Sequence, residues 1–276
     1  MTVAGYLLSV GLGFLILAVI FRPLELAFPA KKQSFFRPDW FLDFSFFLGQ
    51  YLLWGGLVFL AIEQLGFWIG DVSPGGWQEA VRSQPFWLQA IEVILLGDFL
   101  LYWGHRLQHR VSFLWKIHSV HHSIEHLDWL AAHREHPLDT IYTVALVNIP
   151  GFLLGFPLET LAGFFAFRGL WAGFIHSNTT LSPGPLRLLL GAPELHRWHH
   201  STDRASGNYA NLCPLMDLVF GTYKNPGVAP DAFGLDSPFP KTFIGQLLYP
   251  FRRPPHGKTI TDSPANSPAP PSVETR

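Results

Sequence analysis

One cysteine, Cys213, is all that the 276 residues contain. An internal disulfide needs two, so no disulfide framework staples this chain, and thiolate-held metal clusters are excluded with it. Nothing around Cys213 marks an activated thiol, and it reads as a small packed residue. Charge is scarce as well: Asp, Glu, Lys and Arg make up 14% of the chain, against about 25% in an average soluble domain. The 19 basic and 20 acidic side chains nearly cancel, which leaves no field to draw nucleic acid. There is no CxxCH, no Rossmann glycine pattern and no HExxH; His133-Arg134-Glu135-His136 has the wrong order for the last.

Hydrocarbon takes the place of charge. The chain is 49% hydrophobic, with 25 Phe and 10 Trp. Runs 5–21, 44–62 and 140–158 carry no charged residue; 86–104 holds Glu92 and Asp98, and 160–175 holds Arg168. About 20 apolar residues cross a hydrocarbon core as a helix, so the expectation is an all-α integral membrane protein with four to five membrane helices. The first run has no basic segment before it and stops at Arg22, so it is expected to remain as a span. The last two runs are expected to form a hairpin turned near Gly155-Phe156-Pro157, crossing fully or re-entering. Trp54, Trp68, Trp77, Trp87 and Trp103 lie near the expected helix ends, where interfacial aromatic belts form.

Basic residues are unevenly spread. Lys31, Lys32 and Arg37 follow the first run; Arg106, Arg110, Lys116 and Arg134 follow the third; Arg187, Arg197 and Arg204 lie beyond the fifth. The connection between the second and third offers only Arg82. The positive-inside rule then puts the N-terminus outside and the C-terminus in the cytoplasm. Three regions follow: membrane helices over 1–70, a histidine-bearing region over 86–225, and a Pro/Ser/Thr/Ala-rich tail over 252–276 expected to be disordered. Leucines in 186–190 suit the membrane interface or burial against the core.

Ten of the 13 histidines fall in this middle region in a pattern. His105 and His109 form HxxxH; His118, His121 and His122 form HxxHH; His196, His199 and His200 form HxxHH again; His136 and His176 stand between. Residues at i, i+3 and i+4 share a helix face, so each set can converge on an ion, and the total exceeds what one ion uses. All ten are candidate metal ligands, on the cytoplasmic side by the charge asymmetry. Imidazole suits zinc and copper as well as iron. A membrane metal-dependent hydrolase and a metal-transport or haem electron-transfer protein are therefore rival readings to a redox enzyme. Asp98, Asp128, Asp139, Asp203 and Asp217 are candidates to accept the second ring N–H of ligating histidines, or else to cap helices or pair with arginine. His126 and His133 fall outside the pattern and read as exposed or supporting residues.

Order, spacing and flanks together resemble the fatty acid hydroxylase/sterol desaturase superfamily. The resemblance rests on Asp98 through Tyr102-Trp103-Gly104-His105-Arg106 to His109, and on Leu114-Trp115-Lys116-Ile117-His118 with His121-His122-Ser123. It continues through Arg134-Glu135-His136-Pro137, Phe174-Ile175-His176-Ser177-Asn178, His196-Arg197-Trp198-His199-His200-Ser201, Asn208-Tyr209 and Phe220-Gly221-Thr222-Tyr223. Met216 before Asp217 departs from the tryptophan often found there. The resemblance implies eight motif histidines with His136 and His176 as ninth and tenth ligands, holding two iron ions. It implies hydroxylation or desaturation of a membrane lipid with O2, and electrons from a separate donor such as a ferredoxin, a cytochrome b5-like protein or a reductase.

Overall fold

The computed structural model describes residues 2–72, 75–202 and 207–252. Asp203 and nearly all of the tail expected to be disordered lie outside these. Among the described residues there is no strand, only two isolated bridges, Pro29 to Thr179 and Ser201 to Phe233. The described residues form twelve α-helices: α1 (Val3–Ala27), α2 (Trp40–Gly49), α3 (Gly55–Val72), α4 (Gly76–Arg82), α5 (Phe86–Arg110), α6 (Ser112–His122), α7 (Pro137–Leu154), α8 (Leu158–His176), α9 (Arg187–Leu190), α10 (Pro193–His199), α11 (Leu215–Val219) and α12 (Phe243–Leu247).

Among the described residues, five stretches are long and apolar enough to cross a membrane: Val3–Ala27, Trp40–Gly70, Phe86–Arg110, Pro137–Leu154 and Leu158–His176. At 1.5 Å per residue, α7 and α8, with 18 and 19 residues, reach about 27–28 Å, close to the hydrocarbon thickness. α1 starts where Thr2 Oγ1 accepts the Gly5 N–H (3.1 Å), an N-cap that satisfies an otherwise open donor. Leu7, Leu8, Leu12, Leu15 and Ile16 of α1 stay exposed, as a lipid-facing helix requires. The second span is longer than its uncharged run predicts, and α2 joins α3 through a π-helical turn, Gln50–Trp54. Such a turn inserts a residue and re-aims its neighbours. Here it buries Trp54, the one member of the expected aromatic belt that does not face outward, against Phe243.

α5 is the central post, with α6, α7 and α8 packed against it. Its Val93 and Leu101 share a core with Val147, Phe152, Leu161 and Phe164. Gly104 lets α7 come close enough for Tyr142 Oη to donate to its carbonyl (3.2 Å), the small-residue logic of membrane helix packing. The expected α7–α8 hairpin turns at Gly155, whose φ is +98°. The Gly155 N–H donates to the Gly151 carbonyl (3.1 Å) and the Phe156 N–H to the same oxygen (3.0 Å), closing the helix end. A Cβ on Gly155 would sit 2.6 Å from Gln78 Cα. Gly155→Ala is therefore expected to destabilise the fold by about 1–2 kcal/mol from backbone conformation alone, read as a lowered thermal midpoint in detergent. Leu186, Leu189 and Leu190 are exposed, so the 186–190 stretch does not bury against the core.

Candidate metal centre

The ends of four helices converge on one layer. α5 brings His105 and His109, α6 brings His118, His121 and His122, α8 ends on His176, and α10 with its cap brings His196, His199 and His200. Two all-histidine sets form among the described residues. His105, His109, His118, His122 and His199 have ligand nitrogens within 4.8 Å of one another, and so do His121, His176, His196 and His200. The sets adjoin: the His122 and His200 rings lie 4.7 Å apart between centroids.

The hydrogen bonds fix which nitrogen of several rings faces inward. His105 Nδ1–H donates to the Tyr209 carbonyl (2.7 Å), His121 Nδ1–H to the Arg134 carbonyl (3.1 Å) and His176 Nδ1–H to the Ala172 carbonyl (2.7 Å). His199 Nδ1–H donates to the Gly207 carbonyl (2.8 Å), and His118 Nδ1–H to Asp139 Oδ2 (2.8 Å). A neutral imidazole has one N–H, so the Nε2 of each of these rings carries a lone pair. Yet His105 Nε2 stands 3.0 Å from His118 Nε2, and His176 Nε2 stands 3.1 Å from His121 Nε2. Lone pairs facing each other at that distance repel unless a cation lies between them. His109 Nε2 and His122 Nε2 are buried with no hydrogen-bond partner, which a native interior rarely tolerates.

These residues fit a metal. Metal–imidazole bonds of about 2.1 Å place two ligands at right angles about 3.0 Å apart and two tetrahedral ligands about 3.4 Å apart; the observed edges match the former. A five-histidine set also exceeds the four ligands of closed zinc sites and the three of catalytic ones, which disfavours the hydrolase reading. Burial, then crowding by neighbouring imidazoles, pushes the pKa of His121, His122, His196 and His200 well below the usual histidine value. His199 is driven down to about 3, chiefly by burial. The rings are thus neutral, the ligating form.

His136, expected as a ligand, is not brought to either set. Its Nε2–H donates to the Leu247 carbonyl (3.0 Å) and its Nδ1 accepts the Leu138 N–H (3.1 Å), capping α7 ahead of Pro137. Both nitrogens are occupied structurally. The four aspartates among the described residues divide. Asp139 orients His118 and is itself held by Gln108 Nε2. Asp217 acts one step removed: it accepts the Tyr209 N–H (2.8 Å) and the Ala210 N–H (2.9 Å), fixing the loop whose Tyr209 carbonyl holds His105. Asp98 does not touch a histidine; it accepts the Leu212 and Cys213 N–H groups (3.2 and 3.0 Å) and anchors that loop to α5. Asp128 pairs with Arg37 (2.7 Å) and caps the Ala131 N–H (3.0 Å). His133 reaches Gln50 Oε1 (3.2 Å), and His126 sits near Asp39 and Glu125.

Asp139→Asn would replace the carboxylate on His118 Nδ1 with a weaker acceptor. A 10–100-fold loss of metal affinity is expected, measured by chelator competition, with the folded fraction unchanged.

Sequence reasoning misses the backbone acceptors entirely, since a carbonyl has no signature in sequence. It also misses Gln108 and a cavity of about 110 Å³ beside the histidines, walled by Leu101, Tyr142, Thr143, Glu135 and Arg168 together with His105, His118, His121, His176 and His196. Burial, with the Asp139 carboxylate adding to it, pushes Glu135 up to about 7.

Comparison with known proteins gives a consistent result. The fatty acid hydroxylase family profile matches residues 90–222. The chain is similar to the ornithine lipid hydroxylase OlsE of Rhizobium tropici, 36% identical over 60% of this chain and 52% of the relative. It is also similar to human alkylglycerol monooxygenase (36% identical; 46% of this chain, 28% of the relative). A third relative is the Delta(7)-sterol 5(6)-desaturase ERG3A of Gibberella zeae (31% identical; 56% and 41%). The chain thus spans about half the length of the first relative and less of the other two. No solved structure matches it significantly.

Proposed function

We propose, for a chain that belongs to the fatty acid hydroxylase/sterol desaturase superfamily, that it is an O2-dependent membrane enzyme that hydroxylates or desaturates a lipid and holds two iron ions. The observation that carries this reading is the pair of histidine sets whose Nε2 atoms face one another, with the ring N–H of His105, His118, His121, His176 and His199 committed outward. His105, His109, His118, His122 and His199 would hold one ion, and His121, His176, His196 and His200 the other. Bound there, iron supplies the redox capacity to activate O2 and take hydrogen from an unactivated C–H bond, which zinc lacks.

What the protein contributes is positioning. The carbonyls of Tyr209, Arg134, Ala172 and Gly207 and the carboxylate of Asp139 lock ring tautomers and orientations, so ligand geometry needs no rearrangement during turnover. Leu101, Tyr142 and Leu146 wall the cavity on its apolar side and limit water around a reactive centre. The substrate enters from the bilayer, and reducing equivalents come from a separate donor. The charge asymmetry supports a cytoplasmic position for the histidines and the C-terminus.

The test is metal analysis of the purified full chain, followed by incubation with membrane lipids, a reductant and 18O2. Near two irons per chain and a lipid product, 18O-labelled or newly unsaturated, are expected. Iron-free folded protein, or an iron-loaded form that oxidises no lipid, would overturn the proposal. Stoichiometric zinc would point to hydrolysis, and a Soret band to haem.

A further inference from the structure

Arg168 stands near the middle of α8, eight residues or about 12 Å before His176 on the helix axis. A guanidinium at that depth is costly unless it meets an anion. Among the described residues Arg168 forms no direct ion pair; Glu135, on the same cavity wall, and Asp98 interact with it only through space, and its Nε is buried without a hydrogen-bond partner. The side chain lines the cavity that also reaches His118, His121 and His176. An arginine fork with a buried open donor, facing a partly open cavity beside the histidine sets, matches a planar or tetrahedral oxyanion.

The cavity, at about 110 Å³, is smaller than the engineered 150 Å³ void that just accepts benzene. It takes one end of a lipid, not its chain. Tyr51 is a wall of this cavity and also of an apolar groove of about 320 Å³, bounded by Tyr6, Val10, Gly13, Leu17 and Phe47 between α1 and the π-helical turn. The Tyr6 hydroxyl donates to the Tyr51 carbonyl, which ties α1 to that junction.

We infer that Arg168 is a specificity-determining residue that binds an anionic oxygen group of the lipid, a carboxylate or a phosphate, while the hydrocarbon tail lies in the α1 groove. The oxidised carbon is then close to the polar end of the substrate, because the histidines and Arg168 share one small chamber. This rests on the proposed lipid oxidation only for the identity of the reaction, not for the binding itself.

Equilibrium dialysis of the purified, metal-loaded full chain in neutral detergent separates the possibilities. The probes are radiolabelled hexadecanoate, hexadecyl phosphate and hexadecan-1-ol, equal in chain length. At least one anion is expected to bind about 10–100-fold more tightly than the alcohol, the range for a hydrogen bond to a charged partner; which anion wins distinguishes carboxylate from phosphate. Arg168→Gln should bring the anion down to the alcohol's affinity, and Arg168→Lys should fall between. Gly13→Phe, which fills open space in the groove, should weaken anion and alcohol alike. Equal binding of all three probes by the wild type, or an anion preference that survives Arg168→Gln, overturns the inference. So does a Gly13→Phe protein that binds every probe unchanged. Iron content and thermal midpoint on the same samples keep a folding defect visible. Discrimination without iron would sink the oxygenase reading and leave this one standing.

Discussion

On the proposed two-ion reading, His200→Ala will cost the protein the ion of its four-histidine set and leave the other nearly intact. Iron per chain should fall from near two to near one, and lipid oxidation by at least about 100-fold, since even residues that only orient a ligand cost 10–100-fold. His200 Nε2 lies 3.1 Å from His196 Nε2, and its ring stands 4.6 Å from that of His121. His122→Ala should do the reverse, emptying the five-histidine set, because the His122 ring lies within 4.6 Å of both His109 and His199. The control is His136→Ala. If His136 were a ligand, iron would drop as it does for the other two; if it is the cap of α7, iron stays and stability falls by about 1 kcal/mol. Metal analysis beside a denaturation curve reads both. Full iron retention in His200→Ala would remove the basis of the two-set assignment.

The place the structure gives His136 is where sequence reasoning runs short. His136 looks like a ligand because it stands among ligands, before a proline, in a motif that resembles a known pattern. The proline that completes the pattern also starts α7, and a histidine at the position before it is well placed to cap the first turn. Asp98 is misleading for a similar reason. Seven residues from His105 puts it two turns away on the same side of α5, but its carboxylate meets the loop at Leu212 and Cys213 instead, a contact across 114 positions that no local pattern announces. The histidine sets are legible because helical spacing of three and four is itself geometry. The five spans are legible because hydrocarbon thickness is a length. The carbonyls that fix the ring tautomers are not, since every residue has one and only the fold decides which is aimed at an imidazole. Arg168 stands out in sequence as a break in an apolar run, and the structure turns that anomaly into a side chain facing a cavity.

The least visible feature predicts the largest loss of stability. Asp43 is fully buried and takes two guanidinium groups at once, Arg37 Nη2 on Oδ2 (2.7 Å) and Arg134 Nε on Oδ1. Arg37 continues to Asp128 (2.7 Å), and Arg134, also buried, offers Nη1 to the Ser123 carbonyl (3.4 Å). The network joins α2, the segment before it and the loop after α6 across 91 positions of sequence. Its link to chemistry is one bond long, because the Arg134 carbonyl receives His121 Nδ1–H. Asp43→Ala would leave Arg37 with Asp128 alone and Arg134 with only the longer contact to Asp39 (3.6 Å), and breaking a buried pair from one side costs up to about 3–5 kcal/mol. A thermal midpoint roughly 10 °C lower is expected for a chain of this size, with iron lost from the His121-containing set before the other as temperature rises. Asp43→Asn keeps the shape and loses the charge, so it should recover packing but little of the stability. If Asp43→Ala instead melts within a degree or two of wild type and keeps both ions, the buried charges are compensated by some other route and the coupling from α2 to His121 is not real. A normal midpoint with iron missing only from the His121 set would mean that the network positions the ligand without holding up the fold.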